Sequence, residues 1–197
     1  MRRLAVILLA AALSSCGRPE ERPPARPAYT PAKTLYNLKL AYNAPGYEEY
    51  EALLSPEEFT LKAEEPPPGF PAKWGRPEET EATRALLAEA YHILLEMETA
   101  PELVGTPPAE ATAFTTEAVD VRVRVWREPE YCFYARGKVA FGLTRADASA
   151  PWVIAELVDG TGASHADVAA NEQTFPCSWA AIKWYYLRRK QEEDARH

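Results

Sequence analysis

Residues 119–126 read VDVRVRVW and carry the clearest structural pattern in this sequence. Valine alternates with charged or aromatic residues, which is the period of a β-strand that is buried on one face. The pattern predicts a strand whose valines pack on a core, while Asp120, Arg122 and Arg124 lie on the opposite face.

The residues that follow extend this strand into a sheet. Residues 127–130 (REPE) predict a turn, and residues 131–143, rich in Tyr, Phe and Val, predict a second strand. Residues 152–158 predict a third strand, which residues 159–162 (DGTG) are expected to end as a turn. These spacings predict an antiparallel meander. The last apolar segment, residues 178–188, fits either a helix or a strand.

Upstream of the meander the pattern becomes helical. Leu35, Leu38 and Tyr42 are spaced as one face of an amphipathic helix, with Thr34 as its expected N-cap. The other predicted elements are a short helix at 47–54, a strand at 58–63, a helix from Pro77, a strand at 92–99 and a loop at 100–116. Helices followed by an antiparallel meander predict an α+β fold, with helices packed on one sheet.

Length and charge exclude several classes of protein. The 197 residues suit one domain, and 47% hydrophobic with 26% charged residues is typical of a globular protein. A formal charge of −7 argues against a partner made of nucleic acid, which requires a basic face. No apolar run reaches the roughly 18 residues of a membrane-spanning helix.

The first sixteen residues have the pattern of an export signal. Met1-Arg2-Arg3 is a basic region, residues 4–13 are apolar, and Leu13-Ser14-Ser15-Cys16 follows. This segment resembles the lipobox signal of bacterial lipoproteins, in which the signal peptide, here 1–15, is removed and the cysteine becomes the lipidated N-terminus. The resemblance implies palmitate on Cys16 and a membrane partner in the cell envelope. In the lipoproteins that this segment resembles, an aspartate directly after the cysteine favours retention in the inner membrane. This chain has Gly17 there, which favours the outer membrane, with the domain facing the periplasm. The alternative is an ordinary signal peptide that leaves Cys16 as a thiol.

A proline-rich tether, assigned to residues 16–33, follows the lipidation site. The stretch 17–34 contains five prolines, and such composition favours extended polyproline II structure of up to about 55 Å. We interpret it as a spacer; the alternative is a proline motif that binds a partner. The folded domain is assigned to residues 34–197.

The order of elements resembles the cone-shaped α+β fold called nuclear-transport-factor-2-like. The motif Leu38-x-x-Ala41-Tyr42, and then Tyr47-x-x-Tyr50-x-x-Leu53-Leu54-x-x-x-x-Phe59, looks like its helical hairpin and first strand. Residues 152–157 (WVIAEL) and 178–183 (SWAAIK) are similar to the ending of lipoproteins in this superfamily. The resemblance implies a sheet curved around a helix, with an apolar pocket. Members include isomerases, dehydratases and cyclases beside non-catalytic binding modules, and no catalytic pattern transfers to this chain.

The search for chemistry leaves few candidates. His92, His165 and His197 are not at metal-ligand spacing, and no phosphate-binding loop is present, so neither a metal nor a cofactor is expected. If the polar face of the first strand lines a pocket, Asp120 is the candidate acid or base, with Glu96 and Tyr134 as further candidates. The favoured alternative is an exposed cross-strand set of charges.

Cys132 and Cys177 remain once Cys16 is assigned to lipid. Export places them in an oxidising compartment, so we expect a disulfide that closes a loop of about 45 residues. The alternative is two buried thiols.

The sequence therefore predicts an envelope-anchored lipoprotein whose domain is non-catalytic. Its expected partner is a small apolar ligand or an envelope protein. The alternative function is a pocket enzyme of the isomerase, dehydratase or cyclase type that transfers protons. A homodimer formed through the sheet face is a third expectation.

Overall fold

The computed structural model describes residues 28–162 and 173–197. The signal segment 1–15, the lipidation site Cys16, most of the tether and His165 lie outside these residues. None of the helices in the two described ranges has the length and hydrophobicity needed to span a bilayer.

Five helices occur in the described ranges: α1 (Pro31–Asn43), α2 (Tyr47–Glu51), α3 (Arg76–Glu89), α4 (Pro101–Val104) and α5 (Trp179–Asp194). The first begins earlier than predicted, because the Thr30 hydroxyl, not that of Thr34, accepts the capping hydrogen bond from Lys33 N at 3.2 Å. Thr34 instead lies buried and donates to the Trp152 carbonyl at 3.1 Å. The last apolar segment is helical, since Ser178 caps it by accepting from Ala181 N.

The strands are β1 (Thr60–Ala63), β2 (Trp74–Gly75), β3 (His92–Met97), β4 (Ala113–Thr115), β5 (Val119–Glu128), β6 (Tyr131–Thr144), β7 (Val153–Gly162) and β8 (Gln173–Pro176). They form one curved, open sheet in the order β2-β1-β7-β6-β5-β3, while β4 and β8 also pair with β6. Strands β5, β6 and β7 are antiparallel neighbours, so the predicted meander is confirmed.

Two local predictions are corrected by this sheet. Residues 159–162 are not a turn; they continue β7, because they pair with residues 136–139 of β6. The predicted loop 100–116 contains α4 and β4, and β4 pairs with the end of β6.

The core lies between the helices and one face of the sheet. Val121, Val123 and Val125 are fully buried on that face, as their alternation predicted. They pack with Leu35 and Leu38 of α1 and with Leu86 of α3 in one hydrophobic cluster. The fold prediction of helices on a curved antiparallel sheet is confirmed.

Two glycines allow β6 and β7 to approach closely. Gly137 has φ +156°, and a methyl group on its Cα would lie 2.5 Å from the Gly160 carbonyl oxygen. Gly160 faces the Lys138 carbonyl in the same way, at 2.7 Å. No side chain fits at such distances without backbone movement.

Strand β3 is an outer strand of the sheet, and α1 covers its free edge. The Asn43 amide donates to the Leu95 carbonyl at 3.0 Å and accepts from Leu95 N at 2.6 Å. Lys39 Nζ donates to the Met97 carbonyl at 3.4 Å. Side chains of α1 therefore satisfy the backbone groups that a further strand would use.

Candidate functional site

The interior of the cone is filled by aromatic side chains. The largest of them are fully buried, with at most 1% of their surface exposed: Trp74, Trp179, Tyr42, Tyr50 and Tyr186. Tyr42 contacts both Tyr50 and Trp179 edge to face, with ring centroids 5.5 Å apart in each pair. Among the described residues, these aromatic side chains therefore pack against one another in the interior of the domain.

A carboxylate lies in the centre of this packing. Glu79 follows Pro77 in the first turns of α3, and its side chain is fully buried. One oxygen accepts from Tyr50 and from Lys183, and the other accepts from Trp74 Nε1 at 2.8 Å. We call Glu79, Lys183, Tyr50 and Trp74 the buried ion-pair cluster. Its members come from four elements, so it joins α2, β2, α3 and α5.

Lys183 reaches this cluster from the first turns of α5. Its ammonium is fully buried, forms the ion pair with Glu79 and lies 4.5 Å from the centre of the Trp179 ring. Burial by itself lowers the pKa of Lys183, but the neighbouring Glu79 carboxylate outweighs it and raises the pKa above its ordinary value. Lys183 is therefore charged in the folded protein at neutral pH.

The tyrosine hydroxyls beside the pair remain protonated. Burial raises the pKa of Tyr42, and burial together with the adjacent Glu79 raises the pKa of Tyr50 well above its ordinary value. A phenolate next to the Glu79 carboxylate would be both dehydrated and repelled. The cluster thus holds one positive and one negative charge among neutral aromatic groups.

The free energy of unfolding should fall steeply above about pH 10. The pKa values of Lys183, Tyr42 and Tyr50 are raised by folding, so the folded state holds more protons there than the unfolded state. Their contribution is complete below the unfolded pKa values and is lost as pH rises through the folded ones. Urea titrations at several alkaline pH values measure the slope. Tyr50→Phe should give a shallower slope, whereas Tyr36→Phe, at an exposed site, should leave it unchanged. Equal slopes in the two variants would contradict the expectation.

A second buried acid anchors the start of α5. Asp159 of β7 accepts from Thr161 N at 3.0 Å, from the Thr161 hydroxyl at 2.6 Å and from Ala180 N at 2.7 Å. Thr161 in turn accepts from Trp179 N at 2.7 Å. Burial raises the pKa of Asp159, although these hydrogen bonds act in the opposite direction. The network fixes the helix end and so positions Lys183.

The residues proposed from sequence lie elsewhere. Asp120 is exposed on the outer face of the sheet, 3.8 Å from Lys138 Nζ. Glu96 lies on the same face, paired in register with Arg122. Tyr134 is buried on β6, with the Arg124 guanidinium 5.4 Å from its ring centre. The structure brings none of the three into the buried ion-pair cluster.

His92, Cys132 and Cys177 also lie outside the buried ion-pair cluster. His92 is exposed and lies 5.1 Å from the Trp126 ring. Cys132 and Cys177 are both thiols in the structure, so the expected disulfide is not formed there. Burial raises the pKa of Cys177 to about 12. Among the described residues, no group of His, Cys, Asp and Glu is arranged to hold a metal ion.

A cleft opens where the chain enters the domain. It has a volume of about 190 Å³ and is lined by the N-terminal residues 29–32, by Pro101, by the loop 105–109, and by Arg145 and Trp152. Pro31, Pro101, Pro107 and Pro108 give it an apolar wall. Tyr29 lies at its rim and is 58% exposed.

Arg145 holds the wall of the cleft together. Its guanidinium donates to the carbonyls of Ala109, Ala111 and Ala148, and it lies 4.5 Å from the centre of the Trp152 ring. These bonds fix the proline loop against the sheet. All three guanidinium nitrogen atoms donate to backbone carbonyls, so the role of Arg145 is to hold the cleft in shape.

Sequence reasoning missed Glu79, Lys183 and Asp159. The sequence pattern predicts a helix from Pro77 without singling out Glu79, and it predicts that Asp159 lies in a turn. A sign was present: position 79 lies one helical turn before Ala82 and two before Leu86, on the buried stripe. Lys183 likewise stands alone as a charge between Ile182 and Trp184.

Comparison with known proteins finds likeness in structure only. No protein-family model and no curated protein matches the chain. A conserved protein from Planctomyces limnophilus is 15% identical, with 64% of this chain and 88% of that chain covered and a TM-score of 0.50. A protein from Kribbella flavida is 10% identical, with 77% and 93% covered and a TM-score of 0.51. A ketosteroid isomerase-like protein from Erwinia carotovora atroseptica is 17% identical, with 64% and 88% covered and a TM-score of 0.45.

Identities this low are evidence of fold and not of activity. The element order, the curved open sheet and the helices on one face agree with the architecture predicted from the sequence. The described chain has an α+β fold in which helices pack on one curved, open antiparallel sheet.

Proposed function

We propose that this protein is a lipid-anchored envelope protein whose domain is a non-catalytic binding module, with the cleft as its binding site. The module takes an apolar group, from a small ligand or a protein segment, between the proline wall and Tyr29. Cys16 carries the lipid, and the residues that follow it hold the domain near the membrane.

The lining of the cleft carries this proposal. An enzyme that transfers protons needs an ionisable group with an orienting partner inside a cavity. Among the described residues that line the cleft there is no carboxylate, histidine or lysine, and the charged residue Arg145 is bound to backbone carbonyls. Prolines and aromatic side chains suit apolar binding.

A pocket enzyme, the alternative, needs an ionisable group that has an orienting partner and also lies in an accessible cavity. The described residues meet these two requirements only at different places. Glu79, Tyr50 and Lys183 have orienting partners, but at most 1% of each is exposed to solvent. Asp120 is exposed, but it lies on the open face of the sheet beside Lys138. The geometry therefore favours binding.

A tryptophan at the cleft rim should block binding. We expect Thr106→Trp to weaken binding of the neutral fluorescent probe N-phenyl-1-naphthylamine about tenfold, because the indole fills the space beside the proline wall. The measurement is a fluorescence titration of residues 16–197 with Cys16→Ala, which avoids lipid. Ala118→Trp, at an exposed site before β5, is the matched control. Unchanged binding by Thr106→Trp would exclude the cleft as the site.

Replacing the lipidation residue should release the protein from the membrane. In cells that express the full chain, Cys16→Ala should abolish incorporation of labelled palmitate, because no other residue replaces the N-terminal cysteine of a lipoprotein. The Cys132→Ala variant, changed inside the domain, should retain the label and the membrane fraction. Undiminished labelling of Cys16→Ala would rule out the anchor.

A further inference from the structure

We propose that the chain's own proline-rich segment, residues 19–27, binds in the cleft. This inference deepens the proposed function and rests on it, because it names the apolar group that the cleft takes. The segment is a resident occupant that an external ligand must displace.

The position of the cleft places this segment beside it. The Ala28 carbonyl accepts from Trp152 N at 2.8 Å, and Trp152 lines the cleft. Residues 29–32 form part of the same lining, so residues 19–27 are joined to the described domain at the cleft. Attachment at this point gives the segment a high effective concentration at the site, on the order of millimolar for a short flexible link.

The chemistry of the segment matches the wall. Pro19, Pro23, Pro24 and Pro27 supply rigid apolar rings, and polyproline II structure is extended before it binds. Such segments dock in grooves lined by aromatic and apolar rings, because little entropy remains to be lost. The cleft volume of about 190 Å³ is below the roughly 300 Å³ where pockets for drug-sized ligands begin, and so it suits a few rings.

Charge complements this match. Glu102 of α4 and Glu110 after the loop 105–109 are exposed, next to the lining residues Pro101 and Ala109. Residues 19–27 carry Arg22 and Arg26 together with Glu20 and Glu21, and Arg18 precedes them. Arg22 and Arg26, on the proline-rich half of the segment, can face Glu102 and Glu110, an attraction that an occupant without basic side chains lacks.

Docking changes how far the domain reaches from the membrane. The residues between Cys16 and Ala28 span at most about 34 Å when extended at 3.1 Å per residue. When the segment is held in the cleft, this length no longer separates the domain from the membrane. A ligand that takes the cleft frees the segment, so ligand binding and reach are coupled.

Photo-crosslinking of the full lipidated protein in membranes tests the proposal. The photoreactive residue p-benzoylphenylalanine replaces Thr106 at the cleft rim, and crosslinked peptides are mapped by mass spectrometry. We expect crosslinks to residues 19–27 in a product of monomer mass, and none from the same residue at Ala118. Changing Pro23, Pro24 and Pro27 together to serine should lower the yield about fivefold.

A second measurement avoids the photoreactive residue. A glutamate-specific protease should cut at Glu20 and Glu21 about fivefold faster in the Thr106→Trp variant than in the wild-type protein, because the filled cleft releases the segment. The Ala118→Trp variant should be cut at the wild-type rate.

Two results would overturn the proposal: crosslinks only to a second copy or to lipid, or equal cutting of Thr106→Trp and the wild-type protein. The naphthylamine titration distinguishes a failure of this inference from a failure of the proposed binding site. If Thr106→Trp loses the probe but no crosslink reaches the segment, the cleft binds apolar groups and this inference is wrong. If the probe is unaffected as well, the proposed binding site is also wrong.

Discussion

Lys183→Met should lower the free energy of unfolding by about 3–5 kcal/mol. The substitution keeps much of the side-chain volume but leaves the Glu79 carboxylate buried without its cation. A buried, unpaired charge costs more than the ion pair itself contributes, since dehydration of the carboxylate is no longer offset. Urea denaturation, followed by the fluorescence of the buried tryptophans, measures the change.

Two further variants isolate the cause. Lys190→Met removes a lysine of the same helix, partly exposed and paired with Asp194, and should change stability by less than about 1 kcal/mol. Glu79→Gln combined with Lys183→Met removes both charges and should recover at least about 2 kcal/mol relative to Lys183→Met alone. A double variant no more stable than the single one would show that packing, and not charge, explains the loss.

Gly137→Ala should destabilise the protein by about 3 kcal/mol. The added methyl group would meet the Gly160 carbonyl oxygen at 2.5 Å and Thr161 Cα at 2.8 Å, and both are backbone atoms that cannot rotate away. Relief requires β6 and β7 to separate where Asp159 and Thr161 hold the start of α5. Denaturant titration of purified protein reports the loss.

The matched control lies on the same strand. A methyl group at Gly142 would lie 3.0 Å from Glu156 Cβ, and a shift of a few tenths of an ångström relieves this contact, which is less close than the 2.5 Å and 2.8 Å contacts at Gly137. Gly142→Ala should therefore cost less than about 1 kcal/mol. Equal losses in the two variants would mean that the β6–β7 approach at Gly137 is not the tight contact described.

The sheet was predictable because its pattern is local. Alternating valines in β5 require one buried face, and the prediction agrees with the structure residue by residue. The end of β7 was not predictable, because DGTG is a turn sequence by itself. Only the pairing of these residues with 136–139 keeps them extended.

The buried charges were harder to predict than the strands. An acid after Pro77 fits the exposed first turn of a helix equally well, and only its partner distinguishes the two settings. That partner, Lys183, is about a hundred residues away in sequence, and its approach depends on where α5 docks. The cleft is harder still, since its wall combines the chain entry, a proline loop and Arg145.

The Asn43 side chain sets the limit of the sheet. The Asn43 amide binds both the N–H and the carbonyl of Leu95, so an approaching strand finds no free backbone group at this position. Sheet proteins that lack such a stop can add strands from neighbouring molecules and grow into fibrils. One amide on a helix thus closes this route at Leu95 and helps to keep neighbouring copies of the protein separate.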